Sequence, residues 1–169
     1  MEISNRNVKY MPKHKGMNNM ITALNVANNI LLRGFNENID ISPMKLQKLI
    51  YFVYQAYLKE TNSPLFNERF EVWKYGPVVR TVYDEFKSYH SNGIREFYKE
   101  CDNSVIIGNE EASAVFKRAI DQVWNKYKYT DGIALSEITH KQNSAWWNAL
   151  NQNKRLLEDT DILQEEVSG

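Results

Sequence analysis

Ser42-Pro43-Met44-Lys45-Leu46-Gln47-Lys48-Leu49-Ile50-Tyr51-Phe52-Val53-Tyr54-Gln55-Ala56-Tyr57-Leu58 reads as a helix with apolar residues on nearly every side. Ser42 suits the N-cap, because its hydroxyl accepts an amide proton that the first turn leaves without a partner. Pro43 falls at the first helical position, where its missing N–H costs nothing. Leu46, Leu49, Ile50, Val53 and Tyr57 follow at helical spacing, and Tyr51, Tyr54 and Leu58 form a second stripe beside them. A helix wrapped this fully is central to its fold, with neighbours on several faces. The polar remainder, Lys45, Gln47, Lys48, Gln55 and Lys59, consists of long chains that lay their stems on apolar surface.

Outward from this helix, the chain reads as one mainly α, single compact helical domain with a minor β element. Its 169 residues suit one domain, and 43% apolar with 25% charged residues is an ordinary globular composition. Residues 1–17 show no period and read as a flexible arm; the domain occupies 18–169. Met20, Ala23, Leu24, Ala27, Ile30 and Leu31 predict a first helix over 20–33, with Gly34 ending it in the left-handed conformation. After the central helix, Glu71 to Tyr75 alternates like a short strand. Gly76-Pro77 is expected to stop it and open a third helix, with Val78, Val79, Val82, Tyr83 and Phe86 on its apolar face. Val105-Ile106-Ile107 predicts a second strand that pairs with 71–75. Asn109 is expected to cap an amphipathic helix through Tyr127, with Glu110 and Glu111 at the positive end of its dipole. Asp131-Gly132 opens a shorter helix to His140, Ser144 caps another, and a last helix is expected over Asp161 to Val167.

Charge and chemistry narrow the function. Lys+Arg and Asp+Glu both number 21, so no net charge draws the chain to nucleic acid or to an anionic membrane. A repressor is disfavoured further by the lack of a clear helix-turn-helix. Cys101 is the one cysteine, which excludes an intramolecular disulfide and a CxxC metal pair. No apolar run approaches a membrane span and the N-terminus has no apolar signal core, so a cytoplasmic protein is expected. No nucleotide-binding, nucleophile-elbow or zinc motif is present, and His14, His90 and His140 lack ligand spacing. Neither a catalytic residue, a metal nor a cofactor is expected.

The aromatic residues are more informative. Trp73, Tyr75, Trp146 and Trp147 are residue types that dominate protein–protein hot spots, and they also build cores. Trp146 and Trp147 are adjacent, so on a helix they point about 100° apart and are not equally buried unless two faces are covered. Trp124, in register with Ile120 and Tyr127, reads as core.

Met44 to Phe52, Pro64-Leu65-Phe66, Glu71 to Val79 and Val82 to Lys87, in this order and spacing, resemble the Panacea domain, the SocA-like, GepA-type family of antitoxins and phage-associated proteins. Leu135-Ser136-Glu137-Ile138-Thr139-His140 with Trp146-Trp147 resembles its C-terminal motif. The resemblance runs from about Met20 to about Leu150. Val72 stands where a small Ala is common, Arg80 where Pro is frequent, and Ala145 where Pro often precedes the Trp. The resemblance implies a mostly helical, non-enzymatic protein that binds and neutralises a cognate toxin. Two variants of that role are an adaptor that delivers its partner to a Clp protease and a phage-encoded inhibitor of a host defence protein. The partner in each case is a protein, with no membrane or cofactor. Candidate partner-binding residues are Lys45, Lys48, Trp73, Tyr75, His140, Trp146 and Trp147. A competing structural role for Lys45, Gln47 and Lys48 is to hold the 73–77 segment by hydrogen bonds to its carbonyls, since polar heads on a central helix need partners.

Overall fold

Ser42 accepts from the Lys45 N–H at 3.2 Å, with Pro43 at the first helical position, so the central helix starts where its sequence directs. The computed structural model describes residues 8–11 and 20–166. Among them the chain is mainly α, with helices α1 (Ala23–Glu37), α2 (Pro43–Thr61), α3 (Arg80–Phe86), α4 (Ala114–Tyr127), α5 (Gly132–Thr139), α6 (Ala145–Asn151) and α7 (Asp159–Gln164). Four short strands accompany them: β1 (Val8–Tyr10), β2 (Phe70–Trp73), β3 (Gly76–Val79) and β4 (Val105–Ile107). The 3₁₀ turn Lys87–Tyr89 extends α3.

Helix α2 is the axis of the molecule. It packs against α1, α3, α4, α5, α7 and β3. Leu46, Leu49, Ile50, Tyr51 and Val53 are buried in one continuous core with Ile30 and Leu31 of α1 and Ile120 and Trp124 of α4. Two of its three tyrosines are anchored at their tips: Tyr51 Oη donates to Glu165 at 2.7 Å, and Tyr54 Oη to Asp159 at 2.7 Å. Glu165 also accepts from the Ala145 N–H at 3.0 Å, so one carboxylate ties the C-terminal segment to both α2 and the start of α6.

The strands form two separate pairs. β2 and β3 make an antiparallel hairpin with Trp73 opposite Gly76, joined by the two-residue turn Lys74-Tyr75. β1 and β4 are parallel, with Lys9 opposite Ile106. Two-stranded pairs are marginal alone, and here side chains from the helices take over their outer edges. Gln47 bonds both backbone groups of Val79, at 3.1 Å and 2.9 Å. Asn29 does the same for Gly108, at 3.0 Å to its carbonyl and 2.7 Å from its N–H. Asn28 donates to the carbonyls of Ile106 and Tyr98 and accepts from the Tyr98 N–H at 2.9 Å. The far edge of β2 is covered by backbone: Val72 N–H donates to Arg155 and Leu157 N–H to Phe70.

Several expected boundaries move. Helix α1 continues through Gly34 and ends at Asn38, which takes the left-handed conformation at φ 55°. A Cβ at Gly34 would lie 2.6 Å from Ile41 Cδ1, so this glycine serves a close approach and not a helix stop. Gly76-Pro77 opens β3 instead of a helix. The Pro77 nitrogen can sit in a strand because the donor it lacks is not used there, and helix α3 starts at Arg80. β4 pairs with β1, which lies inside the stretch read as an arm, and not with 71–75; residues 1–7 and 12–17 of that stretch, like Val167 of the expected last helix, lie outside the described residues. The N-cap of α4 is Ser113 rather than Asn109, and α7 starts at Asp159. Glu110 is instead consumed by Arg33, at 2.7 Å.

Asn28 is fully buried and satisfies three backbone groups. Asn28→Ala is expected to cost about 2–3 kcal/mol by stranding them, lowering Tm by about 5–10 °C in thermal denaturation. Asn36→Ala, on the exposed side of the same helix, is expected to stay within about 0.5 kcal/mol of the parent.

Candidate functional site

The hairpin β2–β3 is the point on which most of the sequence-predicted site residues converge. Its backbone carbonyls are taken one by one by helix side chains. Trp146 Nε1 of α6 donates to Trp73 O at 2.7 Å. Ser136 Oγ of α5 donates to Tyr75 O at 2.6 Å. Lys48 Nζ of α2 donates to Pro77 O at 2.9 Å, and Gln47 Nε2 to Val79 O. Three helices thus grip successive alternate residues of one hairpin.

The turn demands a particular backbone. Gly76 has φ +108°, a region that side-chain-bearing residues rarely adopt. A Cβ there would also lie 2.5 Å from Thr139 Oγ1 and 3.0 Å from Lys48 Cε and Nζ. Thr139 is fixed by its own bond to Ser136 O at 2.7 Å, and its carbonyl accepts from the N-cap hydroxyl of α6, Ser144 Oγ, at 2.7 Å. Trp146 is held from its other side by the His140 ring, stacked at 3.9 Å between centroids.

Burial governs the charge of this region. Lys48 is 1% exposed, and the bond to Pro77 O is its hydrogen bond to the hairpin. Burial pushes its amine down to about 7 from the ordinary 10.5. His140 is held below its ordinary value by burial first and by the Lys48 charge second, with Glu137 opposing. Among the described residues no group of three or more His, Cys, Asp or Glu side chains is placed to hold a metal ion. No helix of the described residues is long and apolar enough to cross a membrane.

The seven candidate residues therefore separate. Lys48 and Trp146 are buried and hold the hairpin from beneath. Lys45 is buried at a different place, donating 2.5 Å to Lys128 O at the end of α4. All three are buried, and each donates to a backbone carbonyl: Lys48 to Pro77, Trp146 to Trp73 and Lys45 to Lys128. Trp73 and Trp147 are half-buried, His140 is half-buried against Trp146, and Tyr75 is 54% exposed at the hairpin tip.

The solvent-facing side of the hairpin adds residues that were not binding candidates, among them Tyr83, expected on the apolar face of the third helix and exposed instead. Trp73 meets Tyr83 edge-on at 4.7 Å, and the Arg80 guanidinium lies 4.8 Å from the Trp73 ring. Glu71 accepts from Trp73 Nε1 at 2.5 Å and from Arg80 at 2.8 Å, and Leu156 lies opposite Glu71 across the strand edge. Burial works against the Glu71 charge, but Arg80 and Trp73 outweigh it and hold its carboxyl below the usual range. The strand alternation of Glu71 and Trp73 was the available signal for this face. Ser136 and Thr139, hydroxyls at buried helix positions, were the corresponding signal for the inner grip.

Residues 46–147 match the model of the SocA-like antitoxin family with its Panacea domain. The chain belongs to this family. A relative within it, the antitoxin SocA of Caulobacter vibrioides (strain NA1000 / CB15N), is 40% identical over 73 residues. That match spans 43% of this chain and 37% of the relative's length. No solved structure matches the chain. The Panacea match covers α2, the hairpin, α5 and the start of α6, which are the elements that build and grip the hairpin.

Two tests follow from the grip. Gly76→Ala is expected to cost about 2–4 kcal/mol through strain and displacement of Lys48 and Thr139, read as a Tm fall of about 5–15 °C. For Lys48, the unfolded chain keeps the ordinary affinity for its proton while the folded chain holds it only below about 7. Between those values the unfolded state binds more protons, so stability rises with pH from about 7 upward, by at most about 1.4 kcal/mol per pH unit. Subtracting a Lys48→Met variant isolates this slope. Urea melts at pH 7, 8 and 9 should show the parent gaining on the variant at each step; parallel curves would contradict the burial of a depressed amine.

Proposed function

We propose that this chain acts as an antitoxin, silencing a cognate toxin by direct binding, and that the outer face of the hairpin is the contact surface. One observation carries the choice of surface: half-buried Trp73 with exposed Tyr83 and Arg80 forms an aromatic and cationic cluster on a hairpin whose carbonyls at Trp73, Tyr75, Pro77 and Val79 are gripped by buried side chains. Aromatic and arginine side chains dominate protein–protein hot spots, and they contribute most when little ordering is left to be done on binding. Family membership and the antitoxin name of the matching relative support the role. The reading is non-enzymatic: Lys48 and His140, two of the ionisable groups beside the hairpin, are engaged with a backbone carbonyl and an indole ring, and Glu71 and Arg80 with each other.

Such an interface is expected to bury on the order of 1,200–2,000 Å². The test uses the product of the neighbouring gene, co-expressed and co-purified with this chain. A stoichiometric complex and rescue of growth are expected. Trp73→Ala should weaken that complex by about 2 kcal/mol, about 30-fold by calorimetry, while Leu150→Ala, on α6, leaves it unchanged. Unaltered affinity for Trp73→Ala would remove the hairpin face from the reading, and absence of any complex would remove direct neutralisation. Partner levels that rise when the Clp protease is deleted would favour the adaptor variant.

A further inference from the structure

The second strand pair carries an inference of its own. β4 is held from the α1 side. Val105 and Ile107 are buried, Asn28 donates to Ile106 O at 3.1 Å, and Asn29 brackets Gly108 on both sides. The opposite edge of β4 is therefore a set of backbone donors and acceptors already in place, and β1 fills it.

β1 is a loosely anchored occupant. Its ladder continues to Met11, whose N–H donates to Ile107 O at 3.0 Å. Its side chains add little: Val8 is half-buried, Lys9 is exposed and Tyr10 is 60% exposed. Among the described residues no other strand pairs with it. Backbone bonds shared with water contribute only about 0.5–1.5 kcal/mol each on balance, so three or four residues held this way open far more readily than the core.

We propose that the edge of β4 is a strand-acceptor site, that β1 is its internal occupant, and that an extended segment of a docked protein partner replaces β1 there. The segment recognised runs parallel to β4, carries an apolar residue at the position of Val8 and tolerates most residues at the next two. This rests on the reading that the chain works by binding a protein. A second copy is the poorer occupant: a tethered strand competes at an effective concentration on the order of millimolar, against micromolar for a free protomer. A partner already held by other contacts meets β4 at a comparable effective concentration and so exchanges with β1 on even terms.

The experiment needs no toxin, so its failure leaves the hairpin reading standing, and failure of the hairpin variants leaves this site standing. Lys9→Pro in the full chain removes a ladder donor, since the Lys9 N–H points the same way as that of Met11. The probe is a fluorescent peptide of residues 5–12, followed by anisotropy. The Lys9→Pro chain should bind it at least tenfold more tightly than the parent, and a peptide carrying Lys9→Pro should not bind. Equal capture by both chains would place the peptide elsewhere and overturn the proposal. So would no capture by a variant that keeps the parent's circular dichroism and Tm. Hydrogen exchange on the parent covers the case of a variant that fails to fold. The Lys9 and Met11 amides should exchange at least 100-fold faster than those of Ile50 and Val53, and equal rates would make β1 part of the core. A parent dimer in light scattering that Lys9→Pro abolishes would assign the edge to a second copy, against the proposal.

Discussion

A two-stranded hairpin leaves half of its backbone groups facing outward, and burying such a group without a partner costs about 1–3 kcal/mol. This protein meets that constraint by letting helix side chains stand in for missing strands. Gln47 reproduces the donor–acceptor pair of a neighbouring strand at Val79, and Asn29 does so at Gly108. Lys48, Ser136 and Trp146 each satisfy a further hairpin carbonyl. The polar positions on α1 and α2 are thus as much a part of the core as the leucines beside them.

The side chains that hold the hairpin act from within, and on its solvent-facing side Trp73 meets both Tyr83 and Arg80. The low proton affinity of Lys48 follows from the same geometry, since a buried amine opposite a carbonyl has no carboxylate to hold its charge. The second strand pair repeats the edge capping at β4 but leaves its other side to β1, whose exposed side chains make it the weaker of the two devices.

Much of this was legible in the sequence because α2 announces itself. Ser42 and Pro43 set its start, and its apolar stripes require neighbours all round, as found. The family resemblance drawn from Met44 to Phe52 and from Glu71 to Val79 agrees with the matched region. The suggestion that Lys45, Gln47 and Lys48 hold the 73–77 segment came from the need to satisfy polar heads on a buried helix; Lys48 does reach Pro77 O, Gln47 reaches Val79 O just beyond that segment, and Lys45 instead donates to Lys128 O. What escaped has physical causes. Gly76-Pro77 carries helix-start chemistry, yet the φ of +108° at Gly76 turns the chain into a hairpin. Gly34 reads as a stop, but Ile41 needs its missing side chain more than the helix needs an end. The partner of β4 is distant in sequence and arrives from a stretch without periodicity. Lys45, Lys48 and Trp146 were candidates for a surface; all three are buried, and composition does not reveal which polar group meets a carbonyl inside.

The central claim is that side chains of α2 act as the strand flanking β3. Native-state hydrogen exchange at the Val79 amide tests it most directly, because its acceptor is Gln47 Oε1 at 2.9 Å and no backbone group. The account predicts protection comparable to the Ile50 amide in the middle of α2. Exchange as fast as the Lys74 amide, in the exposed turn of the same hairpin, would contradict it.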